Sequence, residues 1–323
     1  MKSKAKSASL IGILVLLAGA LLVFNQQQAV YDWIKLRGYT PPSAIVNLAD
    51  ATTMNNQARH MFYVNRPQLQ NKEEFNSSCS DNEQSIVLGC YIQNKGIYLY
   101  NVNDQRLAGV EEVTAAHEML HVAYDRLSKT ERDHINQLIN AEAMKITNQR
   151  ILKTIESYKK RDQNAINTEL HSIIGTEVLT ISSELESYYK KYFNDRSKVV
   201  ELSEKYENAF TNLEDLSNSY LATMKNLKAE IEKSNQGLSN EADDLAAEYK
   251  TIEAERNGAD AQSFNNRVYV YNSKVNAYNV KVNGVTTKID EYNRILAEYN
   301  KTISKEGDLY NAIDSRPKTI NNN

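Results

Sequence analysis

The residue types best suited to chemistry lie in one short stretch, from Thr114 to Tyr124. Within it, His117 and His121 are four residues apart. On a helix both imidazoles therefore project from one face and can hold one Zn²⁺ at about 2.0–2.1 Å. Glu118, next to the first histidine, has the position of a general base for a metal-activated water. Uncharged and mostly small or apolar residues flank these three, which is typical of a helix buried except at its metal face. The alternative is a buried helix whose two histidines bond to backbone or carboxylate partners.

The five residues from His117 to His121 resemble the active-site helix of the zincin metallopeptidases. The segment Ile97–Val102, shortly before them, resembles the edge strand on which zincins bind an extended substrate by β-augmentation. The resemblance covers roughly residues 57 to 195. It implies an α+β domain with a short β-sheet and active-site helices, and an enzyme that hydrolyses peptide bonds with Zn²⁺ as its cofactor.

A zincin needs a third protein ligand. The metzincin pattern is absent, because Tyr124 and Leu127 occupy the positions of its glycine and its third histidine. The gluzincins, which include thermolysin-like and lethal-factor-like enzymes, instead carry a glutamate on a second helix. The segment Asn167–Glu177 lies at the corresponding distance, about 50 residues further on, so the resemblance is to gluzincins.

Three residues of that segment are candidates for the third ligand. Glu169 fits the gluzincin pattern best, and His171 is the second candidate, with stabilisation of the oxyanion as its other role. Glu177 is the third. On a single helix Glu169 and His171 point about 200° apart, so the two are not expected to bind the same ion.

One departure from the thermolysin-like pattern concerns the group that orients a zinc histidine. Those enzymes carry an aspartate four residues after the third ligand, where this chain has Ile173. Glu177 or Asp125 could supply the missing contact. Tyr188 and Tyr189 follow on the next helix, where core packing is expected and a hydrogen bond to the tetrahedral intermediate is the alternative.

The resemblance also implies a mechanism. His117, His121 and Glu169 hold Zn²⁺, which activates a water and polarises the scissile carbonyl. Glu118 takes the proton of the water and passes it to the leaving amine.

The elements around the motif are predicted from hydrophobic periodicity. Arg59–Asn65, Ser85–Ile92 and Ile97–Val102 have the pattern of strands, and the turn residues Gln93–Gly96 join the last two in a hairpin. From Val113 onward the pattern is helical. A small sheet followed by helices therefore precedes the rest of the chain.

Residues 196–316 are predicted to form an antiparallel coiled-coil hairpin. The reversal is placed at Arg256–Asp260, and pairing within one chain is favoured because a short turn keeps the two arms close. The second arm repeats with a spacing of four and three residues, through Phe264, Val268, Tyr271, Val275, Tyr278, Val282, Val285, Ile289, Tyr292, Leu296, Tyr299 and Ile303. The hairpin would serve as a spacer or as a site for a protein partner. Exchange of arms between two chains stays open.

The N-terminal residues 1–25 are predicted to be an uncleaved signal anchor. Lys2, Lys4 and Lys6 precede an apolar run of 17 residues, Ala8–Phe24, and should stay on the cytoplasmic side of the membrane. Cleavage after Ala18-Gly19-Ala20, which would release a secreted protein, is the alternative. In both cases the domain of residues 26–195 and the hairpin lie outside the cytoplasm, and residues 317–323 form a disordered tail.

The two cysteines agree with export. Cys79 and Cys90 are 11 residues apart, and outside the cytoplasm they can form a disulfide. Two buried free thiols are the alternative. No spacing of the CxxC type is present, so a cysteine metal site is not expected.

Charge and composition limit the partners. The chain has 38 lysines and arginines against 41 aspartates and glutamates, which gives a net charge of −3. Without a basic excess, nucleic acid is not an expected partner. The sequence predicts a membrane-anchored, extracytoplasmic zinc metallopeptidase that acts on a peptide or protein. The competing hypothesis is a membrane-tethered coiled-coil adaptor or cell-envelope interaction protein with a non-catalytic zincin-like domain.

Overall fold

The computed structural model describes residues 27–79, 86–161 and 163–316. These residues are mostly helical and include one small sheet of three strands, in agreement with the predicted α+β class. The predicted anchor, residues 1–25, and the predicted tail, residues 317–323, lie outside the described residues. Among the helices of the described segments, none is long and apolar enough to cross a bilayer.

The elements are numbered here in chain order. Before the histidine motif come α1 (Gln27–Leu36), α2 (Ser43–Ala51), α3 (Asn56–Val64), β1 (Gln68–Gln70), α4 (Lys72–Ser78), β2 (Gly89–Ile92), β3 (Gly96–Tyr100) and a 3-10 turn (Gln105–Leu107). The motif and the segments after it form α5 (Val110–Asp125), α6 (Lys129–Ala143), α7 (Gln149–Arg161), α8 (Ile166–Glu177), α9 (Ser183–Tyr189), α10 (Arg196–Glu255) and α11 (Ala261–Ile313).

The chain divides into two compact units. Of the described residues, the first unit comprises those from 27 to 207 together with 312–316, and the second comprises residues 208–311. The first unit contains the sheet and α1 to α9, and its hydrophobic core surrounds α5.

The sheet has the strand order β1, β3, β2. β3 runs parallel to β1, with Leu69 opposite Leu99, and antiparallel to β2, with Cys90 opposite Tyr98. The predicted hairpin is therefore present. Its strands are shorter than expected, since β2 begins only at Gly89 and β3 ends at Tyr100.

The predicted strand Arg59–Asn65 is wrong, because these residues lie in helix α3 and its C-cap. The side chain of Asn55 caps this helix by accepting hydrogen bonds from the backbone N–H groups of Gln57 and Ala58. The buried residues of α3 then recur at helical spacing: Ala58, Met61, Phe62 and Val64. A short apolar run does not by itself distinguish a strand from a buried helix.

The predicted role of Ile97–Val102 as an edge strand is also wrong. Its residues up to Tyr100 form β3, the central strand, with neighbours on both sides. Hydrogen bonds to β1 and β2 use both edges of β3, so it cannot add a further strand. β1 and β2 are the two edge strands of the sheet.

Helices α5 and α8 approach closely at Gly175. A Cβ at that position would lie 2.5 Å from Cδ1 of Leu120 and 2.8 Å from Cε1 of Tyr189. Only glycine fits such a contact without displacing its neighbours. α8 continues through this glycine, and the close approach brings its N-terminal half against the histidines of α5.

The second unit consists of two long antiparallel helix segments, from α10 and α11, and the chain reverses between Glu255 and Ala261. Three lysines of α11, spaced by seven residues, pair with glutamates of α10: Lys274 with Glu248 at 2.8 Å, Lys281 with Glu241 at 2.7 Å and Lys288 with Glu230 at 2.8 Å. Exposed ion pairs add little free energy of folding. The seven-residue spacing of the three lysines is typical of charges that set the register of a coiled coil.

Candidate metal centre

Both ends of α5, the helix that carries the histidines, are fixed. At its start, Gly109 has a φ of +111°, and a Cβ there would lie 2.6 Å from the carbonyl oxygen of Leu202. Only glycine tolerates this combination of backbone angle and close contact. At its end, Arg126 donates two hydrogen bonds of 2.9 Å to the buried carboxylate of Asp32 on α1. The helix is therefore held in place independently of any ligand.

His117, His121 and Glu169 come together as a cluster that could hold a metal ion. The Nε2 atom of His117 lies 3.5 Å from Oε2 of Glu169, and Nε2 of His121 lies 3.7 Å from Oε1. One potential ligand atom from each residue lies within 4.8 Å of the others. All three side chains are 13–15% exposed, and all three line one cleft.

Two of the three distances between potential ligand atoms are close to those of a tetrahedral metal site, and the whole cluster spans at most 4.8 Å. Ligands at about 2.0–2.1 Å from a tetrahedral Zn²⁺ stand about 3.3 Å apart, close to the two distances between histidine and glutamate. Two imidazoles and one carboxylate also form a known donor set of catalytic zinc sites, which keep a further position open. The donor set and its geometry are both compatible with zinc.

The two histidines have opposite pKa shifts. Burial lowers the pKa of His121 to about 4, with Glu169 opposing and His117 adding to the effect, so its imidazole is neutral at neutral pH. Burial also acts to lower the pKa of His117, but a hydrogen bond with Glu169 and the charges of Glu118, Glu169 and Glu177 raise it overall. A cation bound to the cluster would compete with a proton for the His117 imidazole.

Two hydroxyl groups orient His121 from the side opposite the cluster. Its Nδ1 atom lies 3.1 Å from Oγ1 of Thr168 and 3.4 Å from Oγ of Ser172, both on α8. The Ser172 hydroxyl also donates a 3.1 Å hydrogen bond to the carbonyl of His117. These contacts orient the ring so that Nε2 faces Glu169. The hydroxyls of Thr168 and Ser172 therefore make the orienting contact to a zinc histidine that was predicted for Glu177 or Asp125.

Glu177 is not part of the cluster, and its expected role as a ligand or as an orienting group is not supported. Its carboxylate accepts a 2.6 Å hydrogen bond from Arg150 on α7, which also pairs with Glu207 at 2.5 Å. Glu177 stands two helical turns from Glu169, at the far end of α8. An arginine that contacts two carboxylates holds Glu177 away from the metal ligands.

His171 is not part of the cluster either. Its ring is fully buried on the other side of α8, where its Nε2 lies 2.8 Å from the hydroxyl of Tyr188. The rings of Tyr124, Tyr188 and Tyr189 surround it, and burial lowers its pKa to about 3. His171 is a neutral core histidine, and Tyr188 and Tyr189 pack the core, as expected. None of these three is placed to contact an oxyanion at the cluster.

A cleft of about 350 Å³ opens in front of the cluster, and Glu118 lies in its wall. Tyr158 of α7 and Tyr91 of β2 also line this cleft. Burial, together with the hydrogen-bonded carboxylate of Asp125, raises the pKa of Tyr91 to about 12. Tyr158 could not be predicted from the sequence, because nothing links a tyrosine on an amphipathic helix to a motif some forty residues away.

The edge strand β2 forms one wall of the cleft through Gly89, Cys90 and Tyr91. The backbone N–H of Tyr100 donates to the carbonyl of Leu88 at 2.8 Å. Because bonding alternates along an antiparallel pair, the backbone groups of Gly89 and Tyr91 point away from β3.

Two contacts hold strand β2 and the residues just before it in place. Cys90 is joined to Cys79 at the end of α4 by a disulfide, as the cysteine spacing suggested, with a Cα–Cα distance of 6.1 Å. The hydroxyl of Ser315 donates a hydrogen bond of 2.5 Å to the carbonyl of Val87, just before the strand. The alternative of free thiols at Cys79 and Cys90 is wrong.

Comparisons with protein-family models, curated proteins and solved structures found no match for this chain.

Proposed function

We propose that the chain is a metal-dependent peptidase of the zincin type, with Zn²⁺ held by His117, His121 and Glu169. The observation that carries the proposal is the convergence of these three side chains, from two helices, on one point at the base of a cleft. The alternative considered from the sequence, a buried helix whose histidines bond to a carboxylate, shares these distances of 3.5 and 3.7 Å, and the position of the cluster in a cleft favours the metal site.

A peptide substrate is supported by the position of β2. Its outer edge runs along the cleft, with the backbone groups of Gly89 and Tyr91 directed outward. An extended peptide could pair with these groups as an additional strand, which would lay its backbone across the metal ligands. The edge strand of the proposal is therefore β2 and not β3.

The chain's own residues are assigned two roles, proton transfer and hydrogen bonding to the oxyanion. When bound, a divalent metal supplies Lewis-acid polarisation of the scissile carbonyl and a water that loses its proton near neutral pH. Glu118 accepts that proton at its carboxylate and delivers it to the nitrogen of the leaving amine. Tyr158 is the candidate hydrogen-bond donor to the oxyanion, in place of His171 and Tyr188.

The cellular setting is part of the proposal. Residues 1–25 anchor the protein in the membrane, and the rest of the chain is extracytoplasmic, a setting in which the disulfide Cys79–Cys90 is stable. The hairpin of residues 208–311 would present a surface to a protein partner or act as a spacer.

The test is cleavage of a peptide library by the purified, zinc-loaded full chain, read by mass spectrometry. We expect cleavage that is lost by at least about 10²-fold in Glu118→Gln, because the general base is removed. Glu112→Gln, on the same helix but not among the residues that line the cleft, is the matched control and should cleave normally. If Glu118→Gln and the parent cleave equally, the peptidase proposal is wrong. A folded, zinc-loaded parent that cleaves nothing would favour the adaptor.

A further inference from the structure

Helix α1 has one face that hydrogen-bonds to other residues of the first unit and one exposed apolar face. On the bonded face, the buried Asp32 accepts hydrogen bonds from Arg126 and lies 2.9 Å from Nε2 of His60. On the opposite face, Val30, Trp33 and Ile34 are 39%, 62% and 59% exposed. Positions 30, 33, 34 and 37 fall on one side of a helix. The exposed face is therefore a continuous apolar stripe on a helix whose other side is fixed.

The place of α1 in the chain indicates what covers this stripe. The helix begins at Gln27, and the apolar run Ala8–Phe24 ends just before it. If that run enters a bilayer, as the proposed anchor requires, α1 starts at the membrane surface. A tryptophan flanked by aliphatic side chains is typical of helices that lie in this interface.

The charges around the stripe fit anionic lipid. Arg37 is exposed and lies over the ring of Trp33, 5.5 Å from its centroid. Arg66 hydrogen-bonds to the last turn of α1, at the carbonyl of Lys35. Asp32, the acidic residue of α1, is buried and paired with Arg126. The ionised side chains that this end of α1 presents to solvent are therefore cationic, as required next to lipid phosphates.

We infer that α1 lies in the surface of an anionic bilayer, with Val30, Trp33 and Ile34 at the boundary between headgroups and acyl chains. Arg37 extends from the same face to lipid phosphates. This inference rests on the proposed anchor but not on the metal site, so it stands or falls independently of peptidase activity.

The chain offers a direct probe, because Trp33 is its one tryptophan. The full chain is reconstituted into vesicles of phosphatidylcholine and phosphatidylglycerol, with or without bromine atoms high on the acyl chains. Flotation first confirms attachment to the vesicles. We expect Trp33 emission at a shorter wavelength than in denaturant, loss of most of its intensity in brominated vesicles, and protection from iodide. In vesicles of phosphatidylcholine alone, the quenching should be weaker.

The matched control moves the probe to another exposed position of the same unit, as Trp33→Phe combined with Met144→Trp, because Met144 is 83% exposed. Its emission should not be quenched by bromine, and equal quenching in the control would overturn the assignment to α1. A chain that floats with vesicles while Trp33 stays unquenched and open to iodide would overturn the inference and leave the anchor intact. A chain that fails to float would overturn both.

Discussion

The backbone of Gly89 lies against the side chain of Glu118. A Cβ added to Gly89 would lie 2.8 Å from Oε1 of Glu118 and 2.9 Å from its Cγ, and 2.5 Å from Cγ2 of Thr114. Glycine is thus the residue that lets the edge strand cross the proposed general base at contact distance. The Glu118 side chain is therefore packed against the backbone of β2.

Replacing Gly89 with alanine should therefore reduce cleavage without removing the metal. The new methyl group must displace either the Glu118 carboxylate or β2, and a displacement of about 1 Å can cost on the order of 10² in rate. The measurement is kcat/KM on a cleaved peptide, together with zinc content. Gly284→Ala is the control, since a Cβ there meets nothing within 4 Å. Unchanged kcat/KM in Gly89→Ala would show that this contact does not position Glu118.

Replacing Thr168 with valine should weaken metal binding. The hydroxyl that lies 3.1 Å from Nδ1 of His121 is lost, while the shape of the side chain is kept. Loss of such an orienting contact typically costs about 10–100-fold in metal affinity. Competition with a chelator measures this directly. Thr176→Val is the control on the same helix, because the hydroxyl of Thr176 bonds only to the carbonyl of Ser172. Equal affinities in the two variants would contradict the role given to Thr168.

Glu207 should make the first unit less stable as pH rises. Burial, opposed by Arg150, raises its pKa to about 7, from an ordinary value of 4.5. Between these values the folded state keeps a proton that the unfolded state has lost, so the free energy of unfolding falls as pH increases through this window. Glu207→Gln should flatten that fall.

Urea unfolding followed by the fluorescence of Trp33, which belongs to the same compact unit, measures this dependence. Glu204→Gln, an exposed substitution on the same helix, is the control and should retain the slope of the parent. A slope in Glu207→Gln as steep as in the parent would mean that Glu207 is already ionised at low pH beside Arg150.

The sequence predicted the reversal between the two long helices because their periodicity is long and the turn residues are distinctive. It also brought His117, His121 and Glu169 into one hypothesis, since the four-residue spacing of the histidines and one resemblance were enough. It failed at Arg59–Asn65, where seven residues are too few to separate a strand from a buried helix. The order of the strands depends on long-range pairing, so the central position of β3 could not be read from its own residues.

The contacts around the three candidate metal ligands could not be predicted from the sequence either. Thr168 stands next to Glu169 in the chain, yet its contact with His121 exists only because α8 packs against α5 at Gly175. The position of Glu177 in the sequence allowed it as a ligand, but its salt bridge to Arg150, on a third helix, holds its carboxylate away from the cluster. Tertiary packing, and not the local sequence pattern, determines which residues contact the candidate metal ligands.

The most direct test of the account is the zinc content of the purified full chain after zinc loading and removal of excess metal. We predict about one zinc per chain in the parent, in Glu118→Gln and in Glu177→Gln. His117→Ala, His121→Ala and Glu169→Ala should retain almost none, with circular dichroism showing that they remain folded. A folded parent without zinc, or an undiminished zinc content in Glu169→Ala, would contradict the metal centre described here.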